Sequence, residues 1–587
     1  MNILLLHPGD QFSRFATANK WDLIVDLGRA PASTYQAWRR RSGCEIVSLH
    51  QHEDIEDLYR IRDLFQLGFG CLVDGTGIDW WDLLSLEIVS DMLQLLRVQR
   101  LALALSPSEP EVYASRPDPA AHALSHTFHR PVRVLENSFQ WGLRRLRSYR
   151  DTFNRLGARQ LVQVLQDRFD GQHTIRRRFY SLQQAAGKAE VLFPTAYVNG
   201  SRMAVAYAAL LPEQKFRLIY TRSSGKLHSL PANVSTSSLS PYFVNRSQTE
   251  IGTLYRAWRV LKKNLCSASD IWQTADATAV LDRIPRLLPW AISLRDAWNQ
   301  VFDRHEIVAC LCTDDSNPPS RLPLILAKQR GIPALSCHHG ALDYAMAIKQ
   351  HHEDHYLAKS EMERDYLQRV CLVPEEKIVV GGPVERPVAL RENKIRSSCE
   401  GSLVFFTEPY SSWGWRTDEV WRELLPRLAS LTRNMGIDLV LKLHPFESVK
   451  SYQRLLRRYL PENRVSIITG PSTEELWQTV KLVLTVQSSV ALECARREVP
   501  VFLCSWLQAR YYGYVRQFDR FHLAEILRTV DELDGIPELM KNRRVRRSSE
   551  ISAIPLPAEK FRSLLLGGFP RNHSRLAQPV PAEGVVA

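Results

Sequence analysis

The chain has no apolar run near the ~20 residues that a bilayer-spanning helix needs. Its longer runs, such as Leu101–Leu105, have the size of core segments. It also has no GxxxxGK[ST] loop, no GxGxxG turn after a strand, no HExxH helix and no CxxC pair. These absences argue against P-loop NTP hydrolysis, a dinucleotide fingerprint, a zinc protease and a paired-cysteine zinc site. The ten cysteines are scattered, and the nearest two, Cys310 and Cys312, would share one face of a strand as small apolar residues. That usage fits a reducing cytoplasm. No RNP-like aromatic motif or basic recognition helix stands out, so nucleic acid is not an expected partner. No fixed short repeat is present. The N-terminus lacks a basic n-region, and its apolar run ends at His7-Pro8, which reads as a first strand and not as a secretory signal.

At 587 residues, 45% hydrophobic and 24% charged, the composition is that of a globular protein with room for three or four domains. The net charge of +13 favours anionic partners: nucleotides, phosphorylated lipids, acidic polymers or an anionic membrane face. Residues 1–117 alternate short apolar runs (3–6, 23–25, 45–49, 71–73, 101–105) with amphipathic stretches, which predicts an α/β domain. Residues 118–187 read as a helical, basic segment with Arg144, Arg145, Arg147, Arg150 and Arg176–Arg178. Two strand–helix series follow, at 188–380 and 402–540, joined by a polar linker over 381–401. Helices are expected over 202–211, 322–329, 417–433 and 448–459. Such alternation predicts two Rossmann-like halves whose parallel sheets meet at a cleft where the strands' carboxyl ends face each other. Residues 541–587, with Arg543, Arg544, Arg546, Arg547 and a Pro- and Ala-rich end, read as a disordered tail.

The candidate functional residues lie where these strands end. Cys337-His338-His339-Gly340 brings an imidazole to a strand end, where its near-neutral pKa suits a general base. His351, His352 and His355 follow without a diagnostic metal spacing, and no metal site is expected. In Leu441-Lys442-Leu443-His444-Pro445 the proline stops the strand and holds His444 at the cleft mouth, with Lys442 one pleat behind it. Either could offer positive charge or a donor to a phosphate. Ser488 and Ser489 precede a helix that they could cap, or whose free N–H groups could face an anion, and Glu493 one turn on could accept from a sugar hydroxyl. Asp314 and Asp315 are adjacent carboxylates, so repulsion could raise one pKa toward that of a base, or one could cap the helix near Ser320. The loops Tyr197-Val-Asn199-Gly200-Ser201-Arg202 and Thr407-Glu408-Pro-Tyr410 would form the cleft's opposing lips.

The order of HG, KLHP and SSxxxE on two such halves resembles GT-B glycosyltransferases of the bacterial surface or capsular polysaccharide type. It is similar both to sialyl- and Kdo-transferase families and to CDP-glycerol glycerophosphotransferases. The resemblance spans about 188–540. It implies a metal-independent enzyme with no cofactor, a nucleotide-sugar donor held by the 402–540 half, and a glycan or lipid-linked glycan acceptor on the 188–380 half. Donor contacts would fall to Lys442, His444, Pro445, Ser488, Ser489, Glu493 and Glu408, with Asn199, Gly200, Ser201 and Arg202 on the acceptor side. In the sialyltransferase-like pattern the base is an acidic pair, here Asp314 and Asp315, although Ser316 stands where glycine is usual. In the glycerophosphotransferase-like pattern it is the His before Gly, here His339. Lipid-linked acceptors also imply peripheral contact with the inner membrane face through the basic segments at 144–178 and 543–547. A noncatalytic scaffold of an assembly complex is the alternative from another class.

Overall fold

The strands assemble into three all-parallel sheets in the computed structural model, which describes residues 1–135, 189–383, 401–542 and 555–567, except 16–19, 51–54, 106–109, 116–117, 223–224, 228, 244–247, 461–464 and 510–511. The first sheet comprises β1 (Asn2–Leu6), β2 (Leu23–Asp26), β3 (Glu45–Ser48), β4 (Glu111–Ala114) and β5 (Arg133–Val134), in the order β3-β2-β1-β4-β5. The second contains β6 (Glu190–Thr195), β7 (Lys215–Tyr220), β8 (Val234–Ser238), β9 (Ile307–Cys312), β10 (Ala334–Ser336), β11 (His355–Ala358) and β12 (Ile378–Val380), in the order β12-β11-β10-β9-β6-β7-β8. The third contains β13 (Ser402–Phe406), β14 (Asp438–Lys442), β15 (Val465–Ile468), β16 (Val480–Thr485), β17 (Val501–Cys504) and β18 (Glu525–Leu527), in the order β15-β14-β13-β16-β17-β18. Each sheet reverses its winding beside its first strand, at β1/β4, β6/β9 and β13/β16. All three are therefore Rossmann-like, each with a switch point at its carboxyl edge.

The central strands are apolar throughout because helices cover both faces. β9, Ile-Val-Ala-Cys-Leu-Cys, is almost wholly buried, with Cys310 and Cys312 in the core. The helix Pro318–Gln329 starts on prolines at positions where no N–H is needed, and Asn317 caps it by accepting from the Ser320 N–H at 3.2 Å. The cap is thus Asn317 and neither aspartate. The helix Thr417–Met435 ends at Gly436 in the left-handed region, φ 66°.

Several sequence expectations need correction. Leu101–Leu105 ends the helix Val89–Leu105 and is not a strand, since its apolar residues continue a helical face begun at Val89. The first sheet reaches beyond residue 117: the helix Pro119–Phe128 leads into β5, which pairs with β4. Arg144–Arg178 and Arg543–Arg547 lie outside the described residues. Within the expected tail, Ala558–Leu565 forms a helix that buries Phe561, Leu564 and Leu565 against the second domain, with Phe561 beside Tyr207 at 5.4 Å. No described helix is long and apolar enough to cross a membrane.

Buried polar contacts join the three domains. Arg321, fully buried, pairs with Asp82 at 2.7 Å and donates to the Gln350 carbonyl, and His352 Nε2 meets Asp82 at 2.8 Å. Arg97 donates to the Tyr512 hydroxyl at 2.6 Å, and Tyr366 donates to the Tyr512 carbonyl at 2.8 Å. Arg416, just ahead of the helix Thr417–Met435, enters the carboxyl edge of the first sheet. Its five N–H donors reach both oxygens of Asp26 (2.8 and 3.2 Å) and the carbonyls of His7, Pro8 and Asp10 (2.7, 3.1 and 2.7 Å). The backbones of Arg29 and of Gly414–Arg416 hydrogen-bond alongside. That approach needs Gly28, whose Cβ would sit 3.0 Å from the Gly414 carbonyl oxygen and 3.1 Å from Pro8.

Truncating Arg416 to Ala would leave Asp26 buried without its cation, a change that costs about 3–5 kcal/mol in comparable pairs. We expect Arg416→Ala to lower the denaturant midpoint sharply, and Asp26→Leu/Arg416→Met to recover part of the loss. Equal midpoints for native and Arg416→Ala chains would show that the contact contributes nothing.

Candidate active site

The switch points of the second and third sheets face one another. Tyr197, after β6, and Phe446, after β14, bring their rings to 6.3 Å across the gap. The charge of His339 bears on His444 from across the gap, and that of Arg202 on Lys442. Residues expected on opposite lips are therefore brought to one cleft.

On the second-sheet wall, Gly200 lies where the chain from β6 meets β9. A Cβ there would lie 3.0 Å from Thr313 Oγ1 and 3.1 Å from Thr195 Oγ1, and Thr313 donates to the Gly200 carbonyl at 2.9 Å. Ser201 is wholly buried and donates to the Gly225 carbonyl at 2.5 Å, which makes it a structural tie and not a ligand contact. Arg202 is exposed, with Asn199 Oδ1 3.4 Å from its Nη1. Arg222, at the end of β7, donates to the Tyr197 hydroxyl at 2.6 Å and lies over that ring.

The two aspartates separate into different roles. Asp315 is 1% exposed and forms a buried ion pair with Lys349, so its charge is already matched and it is withdrawn from the base role expected for it. Asp314 instead faces His339, with Oδ2 3.8 Å from Nδ1, and steadies its own loop by accepting from the Ser316 N–H at 3.2 Å. The His339 ring stacks on His338 at 4.8 Å. Burial holds the His339 pKa below the ordinary histidine value, Asp314 opposes that shift and Lys359 adds to it. Lys359 donates to the carbonyls of His338 and Gly340 at 3.1 and 2.9 Å, clamping the histidine turn. Asp343, further along the same loop, has its pKa pushed up to about 6 by burial and by Asp314.

On the third-sheet wall, Lys442 donates to the Gly470 carbonyl, and burial, then Arg202, lowers its pKa to about 8. Burial, then His339 and Lys442, lowers His444 to about 4. At neutral pH His444 is thus an uncharged donor or acceptor and not the cation considered from sequence. Pro445 is exposed in the turn after it. Glu447 holds that turn: it accepts from the His444 N–H at 3.1 Å, from Tyr452 at 2.5 Å and from Thr407, while burial lifts its pKa to about 7. Glu408 is 6% exposed, and burial, then the Glu447 charge, pushes its carboxyl well above the usual range. Burial thus favours its protonated form, which can donate.

Ser488 Oγ accepts from the Val490 N–H at 3.3 Å, whereas Ser489, at the N-cap position, makes no capping bond. The helix they open, Val490–Arg496, is under two turns, so their hydroxyls matter more than its dipole. Glu493 accepts from Arg497 Nε at 3.0 Å, and Arg497 also binds Glu474, a partner the sequence reading did not include.

Among the described residues, one group could present metal ligands: Asp314, His338 and His339, whose donor atoms lie within 4.8 Å of one another. The charges of Lys359 and Lys349 bear on His338, which disfavours a cation there. His351 and His352 are committed elsewhere, to Glu353 at 3.0 Å and Asp82 at 2.8 Å. The sequence reading missed Arg222, Lys349, Lys359 and Glu447. The strand-end rule would have found Arg222, and the three-residue spacing from His444 would have pointed to Glu447. Nothing local marks Lys349, because its partner is 34 residues away.

No family model matches the chain, and no curated protein does. Among solved structures, it is similar to UDP-GlcNAc 2-epimerase from Neisseria meningitidis bound to UDP-GlcNAc, at 9% identity and TM-score 0.40, covering 65% of this chain and 99% of that one. The spinosyn rhamnosyltransferase SpnG aligns at 15% identity and TM-score 0.39 over 64% and 99%. MurG from Acinetobacter baumannii aligns at 13% and 0.36 over 65% and 100%.

The buried groups predict opposing pH dependences of stability. His444 stays neutral in the folded chain down to about pH 4, whereas unfolded it takes a proton near 6.5. The unfolded state thus binds more protons between those values, and stability falls as pH drops through them. For Glu447, raised to about 7, the folded state binds more protons between about 4.5 and 7, and stability falls as pH rises. Denaturation midpoints against pH should show His444→Gln removing the first slope and Glu447→Gln the second. Parallel profiles for both variants and the native chain would contradict these environments.

Proposed function

We propose that the chain is a glycosyltransferase that moves a sugar from a nucleotide-activated donor to a glycan acceptor in bacterial surface polysaccharide synthesis. The observation that carries the reading is the convergence of Arg202, His339, Lys442 and His444 on a single gap between two switch points. A nucleotide diphosphate suits such a gap because its charge is met by fixed donors from both walls. Lys442 and Arg202 supply positive charge, and His444 and the hydroxyls of Ser488 and Ser489 supply hydrogen bonds, so the leaving phosphate can be stabilised without a metal. In this reading His339 is the base. Asp314 on the Nδ1 side orients the ring and supports the charge it gains, which leaves Nε2 to take the acceptor hydroxyl's proton as the anomeric carbon–phosphate oxygen bond breaks. The 402–540 half holds the donor, and the acceptor enters over Asn199 and Arg202.

The His339-Gly340 turn with its Asp314 partner equally favours a second reading, transfer of a polyol phosphate from a CDP-linked donor. Thermal stabilisation by CMP-, CDP-, UDP- and GDP-linked donors distinguishes the two, because a ligand of the native state raises the melting temperature by mass action. We expect one nucleotide class to stabilise the chain and Lys442→Ala or His444→Ala to abolish that effect. His339→Ala should keep the stabilisation and lower turnover by about 10²–10⁴-fold. Full activity in the His339 variant would remove it from the base role, and no stabilisation by any donor would favour the noncatalytic scaffold.

A further inference from the structure

The turn that places His444 in the cleft leaves Phe446 at the rim, its ring 6.3 Å from Tyr197 and the residue 53% exposed, and runs into the helix Val449–Tyr459, whose first residue is 37% exposed. One face of this helix is anchored: Tyr452 and Leu455 are buried, and Leu456 and Tyr459 pack on the third domain's core. The other face is basic. Lys450, Arg454 and Arg457, at spacings of four and three, fall on one side of the helix, and all three are exposed. The Arg454 and Arg457 side chains reach back to carbonyls of their own helix, those of Lys450 and Gln453. The carboxylate on this side, Asp418, is taken by Arg458 at 3.2 Å. Among the described residues, none of the three basic side chains has a carboxylate in ion-pair range.

We infer that this face, with Phe446 and Val449 as its apolar edge and Lys450, Arg454 and Arg457 as its cationic stripe, docks on an anionic bilayer. Long basic side chains can lie along a charged interface while a neighbouring aromatic enters the headgroup layer. Charge complementarity favours this occupant: among the described residues no carboxylate pairs with the stripe, and an anionic leaflet supplies a continuous opposite charge. Phe446 is also two residues from His444, so docking here brings the cleft mouth to headgroup level. The inference deepens the proposed function and rests on it, since it brings the mouth of the cleft, where an acceptor would enter, to the surface that carries a lipid-linked glycan. It differs from an attachment through 144–178 or 543–547.

Co-sedimentation of the full chain with vesicles of phosphatidylcholine alone, or of phosphatidylcholine with phosphatidylglycerol, at low and high salt, tests it. We expect binding to the anionic vesicles at low salt and release at high salt. Each charge contributes about fivefold to affinity at such a surface, so Lys450→Gln/Arg454→Gln/Arg457→Gln should weaken binding by about a hundredfold. Phe446→Ala should weaken the low-salt binding by about tenfold. A control replacing the exposed Lys20, Arg40 and Arg41 by Gln should bind as the native chain does. Absent binding by the native chain, native binding by the triple variant, or an equal loss in the control would each overturn the inference. Nucleotide stabilisation of the same triple variant separates the two readings. A chain that binds donors but no vesicles overturns the surface alone. One that binds vesicles through these residues but no donor overturns the enzymatic reading and supports the surface.

Discussion

The arrangement of the molecule depends on a buried arginine. Three parallel sheets of Rossmann-like order each present a carboxyl edge, and such edges are where ligands of these folds bind. In the first sheet that edge is filled from within: the Arg416 guanidinium spends every donor on Asp26 and on the turn after β1, and lies over the Trp38 ring at 5.1 Å. A charge this deeply buried is tolerable only when fully paired, so its partners must be held in place. The Gly28 contact supplies that rigidity. The first domain is thereby fixed to the third through the edge that would otherwise be its own site.

With that edge filled, two switch points remain, and they face each other. The cleft between them is lined by buried ionisable groups, and its pKa shifts follow from that. Burial acts first on His339, Lys442, His444, Glu408 and Glu447; neighbouring charges act second on the first four, and hydrogen bonds from Thr407 and Tyr452 oppose the shift of Glu447. Buried cations lose protons more readily and buried carboxyls keep them. The wall is therefore less charged at neutral pH than its residue list suggests, and much of its capacity is hydrogen bonding.

The fold was largely legible because parallel strands covered on both faces are written as continuous apolar runs, such as Ile307–Cys312 and Leu482–Leu484. Their ends were legible for a similar reason: Gly340, Pro445 and the Ser488-Ser489 pair break the run. The same logic misled at Leu101–Leu105, where an apolar run continues a helix begun twelve residues earlier. What sequence could not supply was pairing at a distance. Asp314 and Asp315 look alike as neighbours, yet Lys349 neutralises one while His339 faces the other. Likewise Glu493 looked available until Arg497 was found beside it.

Those depressed basic pKa values bear on how the cleft would respond to an anion. A diphosphate placed between Arg202, Lys442 and His444 adds negative charge where desolvation now disfavours positive charge, so the protonated forms of Lys442 and His444 become easier to hold. Proton uptake and anion binding are then linked: each stabilises the other by the same free energy. Glu408 and Glu447 pull the opposite way, because a second anion nearby makes their ionised forms still less favourable. Every group on this wall therefore shifts toward its protonated state as the anion enters. An empty cleft in which His444 stays neutral avoids part of the cost of burying unpaired charge, and an occupied one recovers the cationic character its residue types imply.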